Sequence, residues 1–546
     1  MICSYLLNKY SGCLPITRHK QILTLILTAL VVLSLFYLPF SLNFVRAETD
    51  PAWSTLSSMP TPRAGFGLAV VNGKIYAIGG INSDNVPLRT VEEYNPVTDT
   101  WTTRLSMPTA RSGFAVAVYN HKIYVIGGTV GDGYVGNNEV YDPVTNTWTT
   151  KASMPTPRAD LCASTIDGKI YLIGGKKYSS SAPFYIETDT NECYDPVSDI
   201  WETKTPIPTA VQGYGCVVVD KKIFVIGGSR EPTSPGTSIT VNNNQVYDSI
   251  TDKWSTAASL PTATSYGAAT ATQGYLAPQG IYYVGGFTGG VFTGQVKILT
   301  LSNNSWSIAE SMPTPRGYLG LVAVNDMLYA IGGFDGTDYL SVNERYKPVG
   351  YGTVPPKISV LSPENKTYTV TTLDFTINRD VQWIGYSLDG KQNVTVTSGL
   401  QLSGLTHGPH HITVYANDTS GNMAVSETVH FSVDLIGPEI MILSPKNQSY
   451  DTTDMQLTFT INEPVTYLAY ILDDQEIVPI VGNVTLVALS NGAHRLTIYA
   501  IDELGNTSNE TIYFLIATFP ILAVIAAVVI IIIMVAIGYI LFKRRY

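Results

Sequence analysis

The sequence predicts an all-β chain made of a six-bladed β-propeller, two β-sandwich modules and one C-terminal transmembrane helix. Two features with a similar spacing predict the propeller. Gly-Gly pairs, each after an apolar run, recur six times at steps of 48, 47, 53, 58 and 47 residues, and six of the seven tryptophans recur at steps of 48, 47, 53, 53 and 52 residues. A strand-rich repeat of this length indicates a repeat architecture. The glycine pairs are Gly79 and Gly80, Gly127 and Gly128, Gly174 and Gly175, Gly227 and Gly228, Gly285 and Gly286, and Gly332 and Gly333, and the tryptophans are Trp53, Trp101, Trp148, Trp201, Trp254 and Trp306.

Each repeat predicts four short strands. In the first repeat they cover residues 64–71, 74–78, 91–94 and the segment at Trp101. Asn72-Gly73 is typical of a tight turn, and a glycine pair suits a backbone that needs positive φ or a close neighbour. Tyr94 and Trp101 then lie on adjacent strands, where we expect their rings to be buried between neighbouring sheets. Such units bury both faces by packing around an axis, which is the propeller arrangement.

These repeats resemble the kelch family. The resemblance rests on the Gly-Gly pair, the Tyr141-Asp142-Pro143 turn and the segment from Trp148 to Arg158, and it covers about 300 residues, 51–350, in six copies. It implies a six-bladed propeller. In kelch proteins that bind peptides, the Met-Pro-Thr-Pro-Arg turn and the loop after Gly-Gly line the binding face.

The two ends of the repeat region predict how the ring closes. The last repeat has no tryptophan after Tyr346, so it lacks a fourth strand, while Trp53 to Ser57 form a surplus strand before the first complete repeat. We expect this strand to complete the sixth blade, because the pairing removes a free sheet edge. The fifth repeat departs from the pattern at Thr264, Leu299 and residues 270–279.

A linker over residues 351–356 precedes a second repeat with a step of 82 to 84 residues. Its two copies, 357–435 and 436–516, are similar to immunoglobulin-like or fibronectin type III-like sandwich modules of prokaryotic, in particular archaeal, surface proteins. Asn-x-Ser/Thr sequons cluster there and predict glycosylation if the organism carries it out. The sequons are at Asn303, Asn365, Asn393, Asn417, Asn447, Asn483, Asn506 and Asn509.

Both ends of the chain predict export and membrane anchoring. Residues 22–42 are apolar, follow Arg18 and Lys20, and precede a small-residue site, so residues 1–47 are a signal peptide or an uncleaved signal anchor. Residues 519–542 carry no charge and are long enough to span a bilayer. The basic tail 543–546 then stays in the cytoplasm, which leaves the ectodomain outside.

Charge and cysteine content limit the partners and the chemistry. The section from Glu48 to Glu510 holds all 43 acidic and 26 of the 33 basic residues, a net charge of about −17, which argues against nucleic acid. Five cysteines at 3, 13, 162, 193 and 216 do not form a disulfide framework, although one pair among Cys162, Cys193 and Cys216 remains possible.

No catalytic motif, cofactor or metal site is predicted. A kelch propeller can house a copper centre, as in galactose oxidase, but that site needs several imidazoles, and His121 is the single histidine of the repeat region. We interpret His121 as a solvated turn residue. His410, His411 and His494 lie in strands of the sandwich modules, where metal binding is not expected.

The candidate ligand-binding residues are the arginines that end the Met-Pro-Thr-Pro-Arg turns and their variants: Arg63, Arg111, Arg158 and Arg316. If the turns share one face, four guanidinium groups could converge on a carboxylate, a sulfate or an acidic peptide. The alternative is that each arginine pairs with a carboxylate or carbonyl of its own or the adjacent blade. The variable loops 176–190 and 230–243 are where specificity is expected.

Together these features favour a membrane-anchored surface protein that binds an extracellular protein or glycan, as an adhesin does. Two alternatives stay open. One is a membrane-tethered carbohydrate-active enzyme with its site on the propeller face, and the other is a structural component of the envelope.

Overall fold

The computed structural model describes residues 52–131, 133–180, 185–231, 238–518 and 521–545. The predicted signal segment, residues 1–47, lies outside these ranges. Strands dominate the described part of the chain, and a single helix follows them.

The repeat region contains strands β1 to β32. Those up to the third repeat are β1 (Trp53–Leu56), β2 (Gly67–Val71), β3 (Lys74–Ile78), β4 (Val91–Asn95), β5 (Thr100–Arg104), β6 (Ala115–Tyr119), β7 (Lys122–Ile126), β8 (Thr129–Val130), β9 (Gly133–Tyr134), β10 (Asn138–Asp142), β11 (Thr147–Lys151), β12 (Cys162–Ile166), β13 (Lys169–Ile173), β14 (Lys176–Tyr178), β15 (Tyr185–Glu187), β16 (Asn191–Asp195) and β17 (Ile200–Lys204). The others are β18 (Gly215–Val219), β19 (Lys222–Ile226), β20 (Ser229–Arg230), β21 (Ile239–Thr240), β22 (Asn244–Asp248), β23 (Lys253–Thr256), β24 (Ala268–Thr272), β25 (Gly280–Val284), β26 (Phe287–Thr288), β27 (Val291–Phe292), β28 (Val296–Thr300), β29 (Ser305–Ala309), β30 (Gly320–Val324), β31 (Met327–Phe334) and β32 (Tyr339–Tyr346).

The longer strands form six antiparallel sheets of four strands, one for each repeat. The sheet orders are β2-β3-β4-β5, β6-β7-β10-β11, β12-β13-β16-β17, β18-β19-β22-β23, β24-β25-β28-β29 and β30-β31-β32-β1. The first strand of each repeat, which we call its inner strand, contacts the inner strand of the next repeat, and β30 contacts β2. The six inner strands therefore surround one axis in a closed cycle.

The predicted closing strand is confirmed. β1 pairs with β32 in antiparallel register, and Trp53 lies opposite Tyr346. The sixth sheet thus contains the first and the last strand of the repeat region, so the two ends of the ring are held together by backbone hydrogen bonds.

Neighbouring sheets are joined at their outer edges by a tryptophan and the turn before it. Trp101 Nε1 donates to the Ser57 carbonyl at 2.8 Å, and Asp99 Oδ1 accepts from the Ser57 N–H at 2.9 Å and from the Tyr94 hydroxyl at 2.7 Å. Both backbone groups of one residue in the preceding sheet are thereby satisfied. The same bond joins Trp148 to Leu105, Trp201 to Ala152, Trp254 to Thr205 and Trp306 to Ala258.

These tryptophans differ in burial. Trp53 is 5% exposed, whereas Trp101 and its four equivalents are only half-buried. The expectation of a buried Trp101 is therefore wrong, because its indole covers the rim of the sheet in order to reach the neighbouring carbonyl. Tyr94, on the adjacent strand, is buried as predicted.

The glycine pairs lie where the next repeat presses against the backbone. All twelve glycines have positive φ. The N–H of Gly80 donates to the carbonyl of Arg111 in the next repeat at 3.0 Å, and a Cβ on Gly79 would lie 2.9 Å from that same oxygen. Only glycine gives both the conformation and the space that this contact between repeats requires.

The second glycine of every other pair makes the equivalent bond. Its N–H donates at 2.9 or 3.0 Å to the carbonyl of the residue at the arginine position of the next repeat, and the last repeat bonds in this way to the first. The bonds run from Gly128 to Arg158, from Gly175 to Val211, from Gly228 to Thr264, from Gly286 to Arg316 and from Gly333 to Arg63. The glycine pairs therefore serve the ring as structural residues, and their backbone groups are used between sheets.

Two further all-β units follow the ring. Their strands are β33 (Ile358–Ser362), β34 (Thr367–Tyr368), β35 (Thr372–Ile377), β36 (Trp383–Leu388), β37 (Val394–Thr395), β38 (Leu400–Gln401), β39 (Gly408–Asn417), β40 (Met423–Val425), β41 (Val429–Val433), β42 (Ile440–Ser444), β43 (Ser449–Tyr450), β44 (Met455–Ile461), β45 (Val465–Leu472), β46 (Val478–Pro479), β47 (Val484–Leu486), β48 (Gly492–Asp502) and β49 (Thr507–Ile516). In each unit a three-stranded and a larger sheet enclose one apolar core.

The irregular loop of the fifth repeat contacts the first of these units. Asp326 accepts hydrogen bonds from four backbone N–H groups of residues 273–277 and so fixes the loop. Arg379 donates to the carbonyl of Tyr275, and the Tyr275 hydroxyl donates to the carbonyl of Asn378. The sheet of this repeat is intact, and its unusual loop is an attachment point for the next unit.

The single described helix is α1 (Ile521–Lys543). Its segment Val524–Lys543 has a mean hydropathy of 3.2 and is long and apolar enough to span a membrane.

Candidate functional site

Six backbone hydrogen bonds form a closed ring around the axis. In each repeat the residue two positions after the predicted arginine position donates its N–H to the carbonyl of the equivalent residue one repeat earlier, at 2.6 to 3.1 Å. We call these six residues the axial ring: Gly65, Gly113, Asp160, Gly213, Tyr266 and Tyr318. All six have φ between 53° and 62°.

Three members of the axial ring are not glycine. Asp160, Tyr266 and Tyr318 adopt a left-handed conformation, which aspartate tolerates but which costs a bulky tyrosine about 1–2 kcal/mol. Glycine serves at this position in the other three repeats, so the fold does not require these side chains. A bulky side chain at a position whose φ favours glycine is typical of functional sites.

These side chains surround a cavity of about 360 Å³ at the end of the axis. On one side it is bounded by Tyr266, Tyr318, Phe334 and Tyr339 from the fifth and sixth repeats. The remaining lining residues come from the first three repeats and include Ser112, Thr129, Asp160 and Lys176. The cavity therefore has an aromatic wall that faces a polar one.

The aromatic wall is packed as one unit. Tyr266 and Tyr318 stack with ring centroids 4.2 Å apart and 23° between their planes. The ring centroid of Phe292 lies 6.4 Å from that of Tyr318 and, edge-on, 5.6 Å from that of Phe334. The centroids of Phe334 and Tyr339 are 5.1 Å apart. Rings that hold one another in this way present a rigid apolar surface.

The polar wall contains an ion pair. Lys176 Nζ lies 2.7 Å from Asp160 Oδ2, and both side chains are partly exposed to the cavity. Burial alone would lower the pKa of Lys176, but Asp160 outweighs it and the pKa is raised, so the ammonium group stays charged. Burial, with Tyr266 and Asp160 nearby, also raises the pKa of Tyr318, so its hydroxyl stays protonated and can donate.

The four predicted arginines do not reach this cavity. Arg63, Arg111, Arg158 and Arg316 are fully buried. Each pairs with a glutamate on the third strand of its own sheet: Arg63 with Glu92 at 2.5 Å, Arg111 with Glu139 at 2.9 Å, Arg158 with Glu192 and Arg316 with Glu344 at 2.6 Å. Each also donates to the carbonyl of the first glycine of its pair. A ligand has no access to these guanidinium groups, and the pairing alternative describes their surroundings.

The fourth and fifth repeats replace both partners of this pair. Val211 and Gln245 stand in the fourth, and Thr264 and Lys297 in the fifth. Lys297 is fully buried, has no carboxylate partner among the residues that the structure describes, and donates from Nζ to Thr264 Oγ1 at 2.7 Å. Burial lowers the pKa of Lys297 to about 8.

Of the histidines that the sequence analysis named, one is exposed in a turn, and two are hydrogen-bonded by their own β unit. His121 lies exposed in a turn with φ of 59°, as predicted. His410 Nδ1 lies 2.9 Å from Asp389 and its Nε2 lies 2.7 Å from the Thr406 carbonyl, and His494 is held in the same way by Asp473 and Ser490.

One group of carboxylates lies close together in the described residues. Oxygens of Asp434, Glu463 and Asp502 all lie within 4.8 Å of one another. Asp434 also contacts His407 Nδ1 at 3.1 Å, and Asp502 accepts from Asn506 Nδ2 at 2.8 Å. Two of the three acids thus have protein partners already.

The closed cycle of sheets with an axial cavity defines a β-propeller protein suited to protein interaction. Residues 40–175 and 150–333 match the sequence profile of the KLHDC2/KLHL20/DRC7 Kelch-repeats domain. Since these matches together cover more than half of it, the chain belongs to the kelch-repeat family.

The matched relatives are partial. The chain is 31% identical to kelch-like protein 40 of Mus musculus over 146 residues, which are 27% of this chain and 22% of that protein. It is 28% identical to kelch-like protein terF of Aspergillus terreus (strain NIH 2624 / FGSC A1156) over 156 residues, 27% of this chain and 33% of that one. The match thus spans between a fifth and a third of these relatives. The solved structure of YjhT is similar with a TM-score of 0.46 at 17% identity, covering 59% of this chain and 99% of YjhT.

Sequence reasoning missed the axial ring. Its signal was the residue two positions after each arginine position, which is glycine in three repeats and Asp160, Tyr266 or Tyr318 in the others. That contrast was visible in the sequence, but its place at the axis was not.

Proposed function

We propose that the chain is a membrane-anchored cell-surface protein that binds a glycan or protein ligand in the axial cavity of a six-bladed kelch propeller. In this proposal residues 51–350 form the propeller, 351–356 the linker, and 357–435 and 436–516 two immunoglobulin-like modules. Residues 519–542 span the membrane and 543–546 lie in the cytoplasm. The ring of six inner strands and the two-sheet cores of the following units support this division.

The observation that carries the proposal is the pair of strained tyrosines at the cavity. Tyr266 and Tyr318 occupy backbone positions that favour glycine, and their stacked rings line a cavity that the fold does not otherwise need. Strain of this kind persists where a side chain serves a ligand rather than the fold.

The chemistry of the cavity favours a flat, hydroxyl-rich group. Its aromatic wall suits the C–H face of a sugar ring, and the Lys176–Asp160 pair with the Ser112 and Thr129 side chains supplies donors and acceptors opposite. A volume of about 360 Å³ lies at the small end of ligand sites and suits one sugar residue or one side chain. The glycan end of a surface polymer is therefore our first candidate, and the tip of a protein loop is the second.

A binding array tests this site. The full chain in lipid nanodiscs is applied to immobilised glycans and surface proteins, together with the Tyr266→Gly/Tyr318→Gly variant. Glycine occurs at this position in three repeats, so we expect the variant to fold and to lose at least tenfold in affinity. Tyr513→Ser is the matched control, because Tyr513 is 58% exposed and lies in the last β unit, outside the cavity lining.

Retention of full affinity by the double variant would contradict the proposed site. A hydrolase and oxidase panel run on the same preparation addresses the enzyme alternative. Conversion of a retained glycan would replace binding by catalysis as the function of the cavity.

Six of the eight sequons are open to glycosylation in this proposal, five of them in the two β units and one in the propeller. Asn303, Asn365, Asn393, Asn447, Asn483 and Asn509 are exposed. Asn506 Nδ2 instead donates to Asp502 and to the Asp434 carbonyl, and Asn417 Oδ1 is buried. If the chain is glycosylated, mass spectrometry should find glycans at exposed sites and bare Asn417 and Asn506; the reverse pattern would contradict the described fold of these units.

A further inference from the structure

The inner strands bring two cysteines together at one boundary between sheets. Each inner strand starts with two residues that we call its first and second positions, and their register against the second strand is the same in all six sheets. The first positions hold Gly67, Ala115, Cys162, Gly215, Ala268 and Gly320. The second positions hold Leu68, Val116, Ala163, Cys216, Ala269 and Leu321.

The first position of one sheet touches the second position of the next. A Cβ on Gly67 would lie 2.1 Å from Val116 Cγ2, and one on Gly320 would lie 2.4 Å from Leu68 Cδ1. At the boundary between the fourth and fifth sheets, a Cβ on Gly215 would lie 2.8 Å from Ala269 Cβ. Side chains at these paired positions therefore meet Cβ to Cβ across the boundary.

Cys162 and Cys216 occupy this pair between the third and fourth sheets. Cys162 Sγ lies 3.6 Å from the carbonyl of Tyr214, two residues before Cys216, and Cys216 Sγ lies 3.1 Å from Ser164 Oγ, two residues after Cys162. Each thiol shifts the pKa of the other, that of Cys162 upward and that of Cys216 downward. Both residues line an axial cavity of about 230 Å³, and both are free thiols in the structure.

We propose that Cys162 and Cys216 form a disulfide that joins the third and fourth sheets. A disulfide requires Cβ atoms about 3.5–4.5 Å apart on facing backbones, which is the relationship that this pair of positions sets. The other boundaries show that neither site needs a thiol for packing, because alanine stands at the first position in the second and fifth repeats and at the second position in the third and fifth.

The reaction needs a small two-electron oxidant, and we assign hydrogen peroxide to this part. The Cys216 sulfur takes one oxygen from peroxide and forms a sulfenic acid, and one water leaves. The Cys162 thiol then attacks that sulfur, and its hydrogen and the sulfenic hydroxyl leave as a second water. Two thiols and one peroxide thus give one disulfide and two waters.

The surroundings suit these roles. Hydrogen bonds from Cys162 and Ser164 lower the pKa of Cys216, which favours the thiolate that reacts with peroxide. Both cysteines are partly exposed, and the axial cavity gives a small oxidant access to them. Cys193 is buried on the third strand of its sheet beside Tyr171 and serves as an internal control.

Peptide mapping tests the bond directly. Trypsin separates the three cysteines onto peptides 159–169, 178–204 and 205–221. The full chain is treated with hydrogen peroxide, quenched, denatured, alkylated without reductant and digested. We expect peptide 159–169 linked to peptide 205–221, two hydrogens lighter than their sum, with Cys193 alkylated.

A stability measurement gives a second readout. A phosphine reductant should lower the melting temperature of the peroxide-treated chain, and it should have no effect on Cys162→Ala or Cys216→Ala. Cys193→Ser should respond as the unmodified chain does. Alkylation of all three cysteines after peroxide treatment, or a linkage that includes Cys193, would overturn the proposal.

Discussion

Trp53 and Tyr346 lie opposite each other on antiparallel strands from the two ends of the repeat region, with ring centroids 5.0 Å apart. Trp53 also donates from Nε1 to the carbonyl of Glu310 at 3.0 Å, so it binds the fifth sheet as well as the sixth. This residue thus closes the ring in two ways.

Trp53→Ala should destabilise the ring by about 3–5 kcal/mol, because a buried aromatic side chain is lost at the seam, the pairing of β1 with β32. Trp101→Ala should cost less, since Trp101 is only half-buried. The measurement is urea unfolding of the full chain, followed by the proteolytic resistance of residues 52–350. Trp383→Ala, in the first unit after the ring, is the control; equal losses at Trp53 and Trp383 would contradict the seam.

The Arg158–Glu192 pair predicts a loss and a rescue. Arg158→Val leaves the buried Glu192 without its cation, which should cost about 3–5 kcal/mol. Arg158→Val/Glu192→Gln should recover most of that loss, because the fourth repeat carries Val211 and Gln245 at these positions. Thermal unfolding of both variants checks this, and a double variant no more stable than the single one would count against the pairing role.

Lys297 predicts a pH dependence of stability. Burial lowers its pKa to about 8 in the folded chain, below the value near 10.4 of an unfolded chain. Between these values the unfolded state binds more protons, so the folded state gains stability as the pH rises from about 8 toward 10. Lys297→Met removes the buried charge and should be more stable than the unmodified chain at pH 7, by an amount that shrinks over this range. Melting temperatures from pH 7 to 10 test it, and an unchanged difference across the range would contradict the assignment.

His494 predicts the opposite sign in the last β unit. Burial would lower its pKa, but the Ser490 carbonyl and Asp473 outweigh it and raise the pKa. The folded state therefore binds the proton more tightly, and the stabilisation is complete below pH of about 6.5 and is lost as the pH rises through the raised value. His494→Gln should make the melting temperature of this unit less dependent on pH between 5 and 8. His430→Gln, at an exposed histidine, should leave that dependence as it is.

The sequence predicted most of the repeat architecture because each structural need has its own residue type. The glycine pairs are needed where φ is positive and the next repeat lies close to the backbone. An indole N–H at Trp101 and its equivalents is needed for the hydrogen bond to the adjacent sheet. The seam followed from one missing and one surplus strand, and the pairing of β1 with β32 confirms it.

The sequence analysis left two interpretations of the four arginines open, a ligand site and a pair inside the blade, and one further pattern in the sequence favours the pair. A glutamate stands two residues before the tyrosine of the third strand in the four repeats that have the arginine, as in Glu92 before Tyr94. Where the arginine is replaced, at Val211 and Thr264, the glutamate is replaced too. That joint change indicates a contact inside each sheet, and a surface ligand site would not require it.

The axial ring needed the structure. No local pattern says that residues 65, 160, 266 and 318 meet at one end of an axis, because their contacts come from the closure of the whole ring. The same holds for Tyr275. The sequence shows only an irregular loop there, and the structure is needed to show that Arg379 donates to its carbonyl.

The loop at Tyr275 also fixes at which end of the ring the next unit is attached. It follows the inner strand of the fifth repeat, whereas Tyr266 precedes that strand, so the attachment of the next unit and the open mouth lie at opposite ends of the ring. A large molecule that approaches the stacked tyrosines meets the loops of the repeats first and does not contact the unit attached at Tyr275. A ligand of the proposed site can therefore be large without meeting the unit that Tyr275 contacts.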